Sequence, residues 1–243
     1  MLYICATPIG NLKDISLRAL KILSHADIIL CEDTRNSRFL LNTHNIQFKK
    51  LIALHGHNEN EVAEKVIQWL QSDLTIVQIS DAGTPGISDP GARLCERVIQ
   101  AGLKVSPIPG ACAYISLLSV SGIQTPSLFY GFLPSTKIKR TKVLEQWVKS
   151  EYAVAIYEAP HRILECMEDI ISCLGANRTI IMGREMTKQF ETIKKMQALD
   201  LLQFIKTDNN QQKGEFVLLI GPSRQEKSNT INNEQIKALK LLS

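Results

Sequence analysis

Two carboxylates in one glycine- and proline-rich loop, Asp81 and Asp89 in Ser80–Gly91 (SDAGTPGISDPG), are the residues best placed by type and spacing to do chemistry. The twelve residues hold three Gly, two Pro, two Ser and a Thr, and Ile87 is their one large side chain. Glycine lets backbone approach a ligand closely, and proline fixes the shape of the approach. The alternative is a plain polar turn. Loops this long and this rich in special residues are more often functional.

Three more short loops share the setting. Thr7–Asn11 (TPIGN), Glu32–Arg35 (EDTR) and Pro109-Gly110 each follow an apolar, β-branched run, as Ser80–Gly91 does. In an open parallel sheet, ligands gather at the carboxyl ends of the strands. Four such loops on one sheet edge are a stronger signal than any one of them. Neither the dinucleotide fingerprint G-x-G-x-x-G nor the P-loop G-x-x-x-x-G-K-[ST] is present, which argues against an ordinary nucleotide-dependent enzyme. Loops with carboxylates and no lysine make a poor phosphate cradle. They suit a ligand with a cation and hydroxyls, such as S-adenosylmethionine.

The elements that must hold these loops follow from the pattern. Strands are expected at Leu2–Ala6, Asp27–Cys31, Lys50–Leu54, Leu74–Ile79 and Lys104–Ile108. Helices are expected at Ser16–Ser24, Asn36–Asn42, Glu59–Gln71, Ala92–Ala101 and Ala111–Ser121. Ser16 is a plausible N-cap and Gly102 a plausible helix stop. The alternation predicts an α/β protein with a mostly parallel sheet in residues 1–122. Gly122–Ser135, with two Pro and two Gly, reads as a break, giving a linker at 123–135. A second α/β domain with a mixed sheet is expected over 136–222. Its helices are Lys137–Val148, Arg162–Leu174 and Met196–Lys206, and its strands Tyr152–Tyr157, Thr179–Gly183 and Glu215–Ile220. Residues 223–243 read as a polar tail with a partial helix at Glu234–Leu242.

Composition sets the outer bounds. The chain has 243 residues, 28 Lys plus Arg, 24 Asp plus Glu and a net charge of +4, which permits a nucleic-acid partner without demanding one. Six cysteines form no C-x-x-C pair, so they read as reduced core thiols rather than a disulfide or zinc framework. The start of the chain has no signal-peptide pattern and no stretch is long and apolar enough to span a membrane, so a cytoplasmic protein is expected. Aromatics are 6%, too few for a stacking sheet of the kind that binds single-stranded RNA. His55 and His57 flank Gly56 without a third ligand, and no metal is expected.

The segments ATPIGNLKDISLRAL (6–20), CEDTR (31–35), SDAGTPGISDPG (80–91), PIPG (107–110), YGFLP (130–134), YEAPHRI (157–163), GREMTK (183–188) and GEFVL (214–218) run in order along the chain. Over about residues 1–222 it resembles the bacterial ribosomal RNA small subunit methyltransferase I family, enzymes of the tetrapyrrole-methylase fold that methylate a cytidine ribose. The resemblance implies S-adenosylmethionine as cofactor in a cleft between two domains, a homodimer, and as substrate a cytidine of the decoding region of 16S rRNA in the 30S subunit. The chain departs from the family at Pro109-Gly110-Ala111-Cys112, where a Ser hydroxyl is usual, and at 55–58, HGHN, where the family tends to place a carboxylate between the histidines. The family usually runs past residue 243, so a C-terminal RNA-contacting element is expected to be shortened or absent.

Loop chemistry and resemblance together assign the cofactor to Pro8, Ser80, Asp81, Ala82, Gly83, Ile87, Ser88, Glu158 and Arg184. Glu32, Asp33 and Arg35 are the candidates for orienting or deprotonating the ribose hydroxyl. Their alternative is a helix start with capping acids. Arg35, His161, Arg162, Lys137 and Arg140 are the candidates for contact with RNA. For the last four the alternative is a helix start or a solvated charged face. Two rival functions stay open: a tetrapyrrole methyltransferase of the same fold, and a non-catalytic RNA-binding assembly factor. The first loop, TPIGN, lacks the glycine-rich, acid-ended form usual in tetrapyrrole enzymes.

Overall fold

The computed structural model describes residues 1–223. The expected helix at Glu234–Leu242 lies outside them.

Short apolar runs build the first sheet because both of its faces are covered. β1 (Leu2–Cys5), β2 (Ile28–Cys31), β3 (Leu51–Ala53), β4 (Ile76–Gln78) and β5 (Val105–Ile108) are all parallel, in the order β3-β2-β4-β1-β5. Every residue of β2 and β4 is buried, as strands with helices on both sides require. On one face α1 (Leu17–His25) and α2 (Thr34–Thr43) supply Leu23, Leu40 and Leu41. On the other, α3 (Glu59–Gln71) and α4 (Ala92–Gln100) supply Val66, Leu70, Leu94 and Val98. Ser16 caps α1 by accepting the Ala19 N–H at 3.1 Å, as expected. Gly102, at φ +73°, follows the end of α4.

The second sheet is mixed, in the order β6-β7-β10-β8-β9. Its strands are β6 (Ser127–Phe132), β7 (Ala153–Glu158), β8 (Thr179–Arg184), β9 (Thr192–Gln197) and β10 (Phe216–Ile220). Only β6 and β7 pair in parallel. One face packs on α6 (Lys137–Glu145), α7 (Ile163–Leu174) and α8 (Ala198–Thr207), around Leu144, Met167, Ile170 and Leu201. The other face is roofed by α5 (Ala113–Ser121), which leaves the first sheet and lays Leu117 on Ala155, Ile181, Val217 and Leu219. Leu117 is fully buried, so truncating it to Ala would cost about 2–5 kcal/mol and loosen this roof.

Two expectations need correction. The segment read as a linker contains β6. Its Pro and Gly residues suggest a break, but the aromatic Phe129, Tyr130 and Phe132 have strong strand propensity, and Leu128, Phe129 and Phe132 pair with β7. Gly131 sits at φ +82° where the register shifts, so a bulge absorbs the glycine instead of ending the strand. The second is β9, which was not foreseen. TIKKMQ carries little apolar content because it is an edge strand with exposed lysines, and the helix expected from Met196 begins at Ala198.

Candidate active site

Parallel strands bring every βα loop to one edge of the first sheet, and hydrogen bonds weld those loops together. Thr7, after β1, pairs with Gly83, after β4, through N–H···O bonds of 2.9 and 3.1 Å in both directions. The Thr7 hydroxyl donates to the Ser80 carbonyl at 2.9 Å, and the Thr84 hydroxyl donates to the Ala111 carbonyl at 3.1 Å. β1 lies between β4 and β5, so its loop is the one that can touch both neighbours. The far end of Ser80–Gly91 is held by Glu59 of α3. Its buried carboxylate accepts the N–H groups of Gly91 and Leu94, each at 3.0 Å, and so caps α4 from outside.

The second sheet closes over this platform. Ser88 adopts φ +65°, and its hydroxyl presses against Gly131 of β6, where an added Cβ would come within 2.8 Å of it. That contact needs glycine at 131. The Tyr114 N–H donates to the Tyr157 hydroxyl of β7 at 3.3 Å. Between the two sheets lies a cavity of about 390 Å³. Ile9, Phe132, Tyr157, Met186 and Val217 give it apolar walls, and the loop residues Ala82–Thr84 and Cys112–Ala113 also line it.

Asp89 lines this cavity and carries its distinctive electrostatics. Burial, and then the nearby charge of Glu32, push its carboxyl up to about 6, against an opposing hydrogen bond from Ser80. Glu32 is itself raised, by burial first and then by Asp81 and Asp33. Asp33 behaves oppositely: hydrogen bonds from Arg35 hold it down at about 2. Burial raises Tyr157 above the usual phenol range.

A second cavity, of about 300 Å³, opens on the other side of Ala82. It lies between the first loop and α2, with Asn36, Phe39 and Asp81 on its walls and Lys188 at its edge. The two cavities share Ile9, Ala82 and Glu215. Gly10 lies so close to Lys188 that an added Cβ would fall 2.4 Å from its Cγ.

The residues singled out from sequence divide between these places. Gly83, Ile87 and Ser88 line the larger cavity; Pro8, Ser80 and Asp81 line the smaller; Ala82 lines both. Asp81 accepts from the Asp33 N–H at 3.1 Å and from the Asn36 side chain at 2.8 Å, so it is drawn towards α2. Glu32, Asp33 and Arg35 stand beside the cavities without lining them. Glu158 reaches the larger cavity at the end of β7, but strand alternation turns its carboxylate to the opposite face, with Val154 and Ile156. There it accepts the Ala159 N–H at 2.9 Å and lies 3.2 Å from Arg162. Arg184 lines neither cavity. Its guanidinium is buried and bonded to Gln211, Lys213 and Phe190.

Among the expected RNA contacts, Arg140 is overturned. It is fully buried, donating to Asp169 at 2.7 Å and to Glu165 at 2.5 Å, because α6 turns it inward onto α7. Arg162 is half-buried and donates to the Leu133 and Pro134 carbonyls. His161 is exposed, and so is Lys137, whose ammonium lies 3.6 Å from Asp169. Sequence reasoning passed over Tyr157, Asn36 and Phe39. Alternation along β7 was the available signal for Tyr157, and the i, i+3 spacing on α2 for the other two.

The profile of the tetrapyrrole (corrin/porphyrin) methylases matches residues 1–201. The chain belongs to the tetrapyrrole methylase family. Within the family it is 45% identical over 244 residues to the ribosomal RNA small subunit methyltransferase I of Pasteurella multocida, covering 100% of this chain and 86% of that one. The protein of that name from Vibrio cholerae is also 45% identical, with 84% of its length covered, and that from Escherichia coli O157:H7 is 43% identical over 220 residues, covering 90% of this chain and 77% of that one. Two solved tetrapyrrole methylases share the fold. A cobalt precorrin-4 methyltransferase superposes with a TM-score of 0.60 at 15% identity, covering 90% of this chain and 93% of that one. A uroporphyrin-III-C-methyltransferase from Thermus thermophilus superposes with a TM-score of 0.59 at 13% identity and the same coverage. This tetrapyrrole methylase is a methyltransferase, and the methyl donor of the family is S-adenosylmethionine. The larger cavity fits that donor. Apolar walls suit an adenine and a methionyl chain, loop backbone groups supply hydrogen bonds, and the Asp89 carboxylate suits a sulfonium.

Proposed function

We propose that the chain transfers a methyl group from S-adenosylmethionine, held in the larger cavity, to the ribose 2′-hydroxyl of a cytidine in 16S rRNA, within the 30S subunit. Identity of 40–45% along nearly the whole chain to proteins named ribosomal RNA small subunit methyltransferase I is the observation that carries this reading. The likeness to tetrapyrrole enzymes is one of fold, at 15% identity or less.

The donor, when bound, supplies an electrophilic methyl on a positively charged sulfur. The protein's part is alignment and proton removal. The attacking oxygen must be held about 3–3.5 Å from the methyl carbon, in line with the sulfur. Gly83 and the welded loops fix the donor side of that line. Asp89 takes the proton of the 2′-hydroxyl. On transfer the donor would leave with the electron pair of its sulfur–carbon bond, and its positive charge would be lost from beside Asp89. Its carboxylate then becomes a stronger base as the proton arrives. Glu32, which already raises Asp89, favours the protonated product state in the same way.

The test is to incubate the protein with methyl-labelled S-adenosylmethionine and 30S subunits from cells lacking this modification, with naked 16S rRNA and a tetrapyrrole precursor in parallel. Label recovered as 2′-O-methylcytidine supports the reading, and label on the tetrapyrrole overturns it. No label on any acceptor, with donor bound, turns the reading towards an assembly factor. The same reading makes the protein a cytoplasmic homodimer, and sedimentation checks the dimer.

A further inference from the structure

The geometry points to the smaller cavity, between the first loop and α2, as the seat of a single flipped-out ribonucleoside, with its base against Phe39 and its ribose turned past Ala82 towards the donor. This rests on the proposed methyl transfer to RNA and assigns the acceptor side of it.

Three observations carry the inference. The first is connectivity. A reacting oxygen must come within about 3–3.5 Å of the methyl carbon, so the acceptor's compartment must share a wall with the donor's. The two cavities meet at Ile9, Ala82 and Glu215, and Ala82 is the smallest of these side chains. The second is size. About 300 Å³ is at the lower end of ligand pockets, enough for one nucleoside and not for a helical stack. A base in folded RNA must therefore leave its stack to enter, as in other enzymes that reach a single nucleotide.

The third is lining. Phe39 is 65% exposed although it is a large apolar side chain at a cavity wall. Aromatic faces of this kind stack single unpaired bases. Beside it, Asn36 donates one amide N–H to Asp81 at 2.8 Å, which orients the amide. The Asn36 carbonyl and the remaining lone pairs of Asp81 are acceptors, suited to the exocyclic amino group of a cytosine. The Ser37 hydroxyl, buried in the same wall, has no nitrogen or oxygen partner. Arg35, 89% exposed in its side chain, stands one residue before Asn36, where a flanking phosphate would pass.

The test compares wild type, Phe39→Ala, Phe39→Tyr and Asn36→Ala. Donor affinity is read by calorimetry, and kcat and KM by methyl transfer to unmodified 30S subunits. Phe39→Ala should raise KM for the subunits about tenfold, the size of a lost base–aromatic stack, with the donor Kd unchanged. Phe39→Tyr should restore KM. Asn36→Ala should also raise KM, and more for cytidine than for a subunit carrying uridine at the target. Phe39 is exposed, so its loss should leave the melting temperature as it was, and a melt checks this. Wild-type transfer to RNA with KM unchanged in both alanine variants overturns the inference and leaves the function standing. So does an equal loss of donor affinity in both variants. Wild type inactive on every RNA overturns the function, and this inference with it.

Discussion

Asp81 and Asp89 belong to one loop and face two different compartments. Asp81 is exposed and engaged by the Asp33 N–H and the Asn36 amide at the wall of the smaller cavity. Asp89 is drawn in at the larger cavity, where burial and Glu32 push it up to about 6. The same side chain accepts two hydrogen bonds in one place and has its carboxyl raised by burial in the other. The difference comes from what surrounds each, polar α2 residues against apolar walls from the second sheet. A pair of carboxylates so separated is the pattern by which a site divides its roles.

The sharpest way to break that division is Asp89→Asn. At saturating donor it should lower turnover by about 10²–10⁴, the usual worth of a positioned base. Donor affinity should also fall, because a carboxylate near the sulfonium is lost. In wild type, kcat/KM for the donor should drop as pH falls through about 6, where Asp89 of the free protein takes up a proton, and this limb should vanish in the variant. Stability should move the other way. A carboxyl raised in the folded state is stabilising below its unfolded value and destabilising once pH rises through the folded value. Asp89→Asn should therefore raise the melting temperature at pH 7, with the gain gone near pH 3. A melting temperature that falls at pH 7 would contradict the burial of this charge.

The next largest effect tests the shared wall. Ala82→Leu puts three more carbons where the cavities meet. Turnover should fall about 100-fold, the scale of a 1 Å misplacement. Donor and RNA affinities should change much less. A loss seen only in donor binding would make Ala82 a wall of one cavity rather than the junction of two.

The smallest effect is that of Arg35→Ala. Its guanidinium is exposed and already paired with Asp33 at 2.6 Å. RNA affinity should weaken about threefold, with one unit less in the salt slope and no change in donor binding. Full activity at every salt concentration would reduce Glu32–Arg35 to the start of a helix.

The legible part of this molecule is the part built by repetition. Alternating apolar runs placed all five strands of the first sheet within a residue or two, because β2 and β4 are buried on both faces and read as continuous apolar stretches. The four loops were found by the same rule, since parallel strands leave them no other edge. What misled was residue type without direction. Arg140 and Arg35 look alike in sequence, yet α6 buries one between Asp169 and Glu165 while the other stays in solvent. Glu158 drew notice as an acid at a strand end, and its neighbour Tyr157 is the one that faces the cavity. Ser80 and Asp81 share a loop with Gly83, and Pro8 lies in the loop bonded to it, so only the three-dimensional path of those loops separates the two cavities. β6 was hidden by a bulge glycine, and β9 by its exposed lysines.

The most direct test of the two-cavity account is a crystal structure with S-adenosylhomocysteine and cytidine both soaked in. The homocysteine sulfur should lie in the larger cavity near Asp89. The cytosine ring should stack on Phe39, with the ribose 2′-oxygen facing that sulfur past Ala82. Cytidine seated in the larger cavity, or S-adenosylhomocysteine against Phe39, would contradict it.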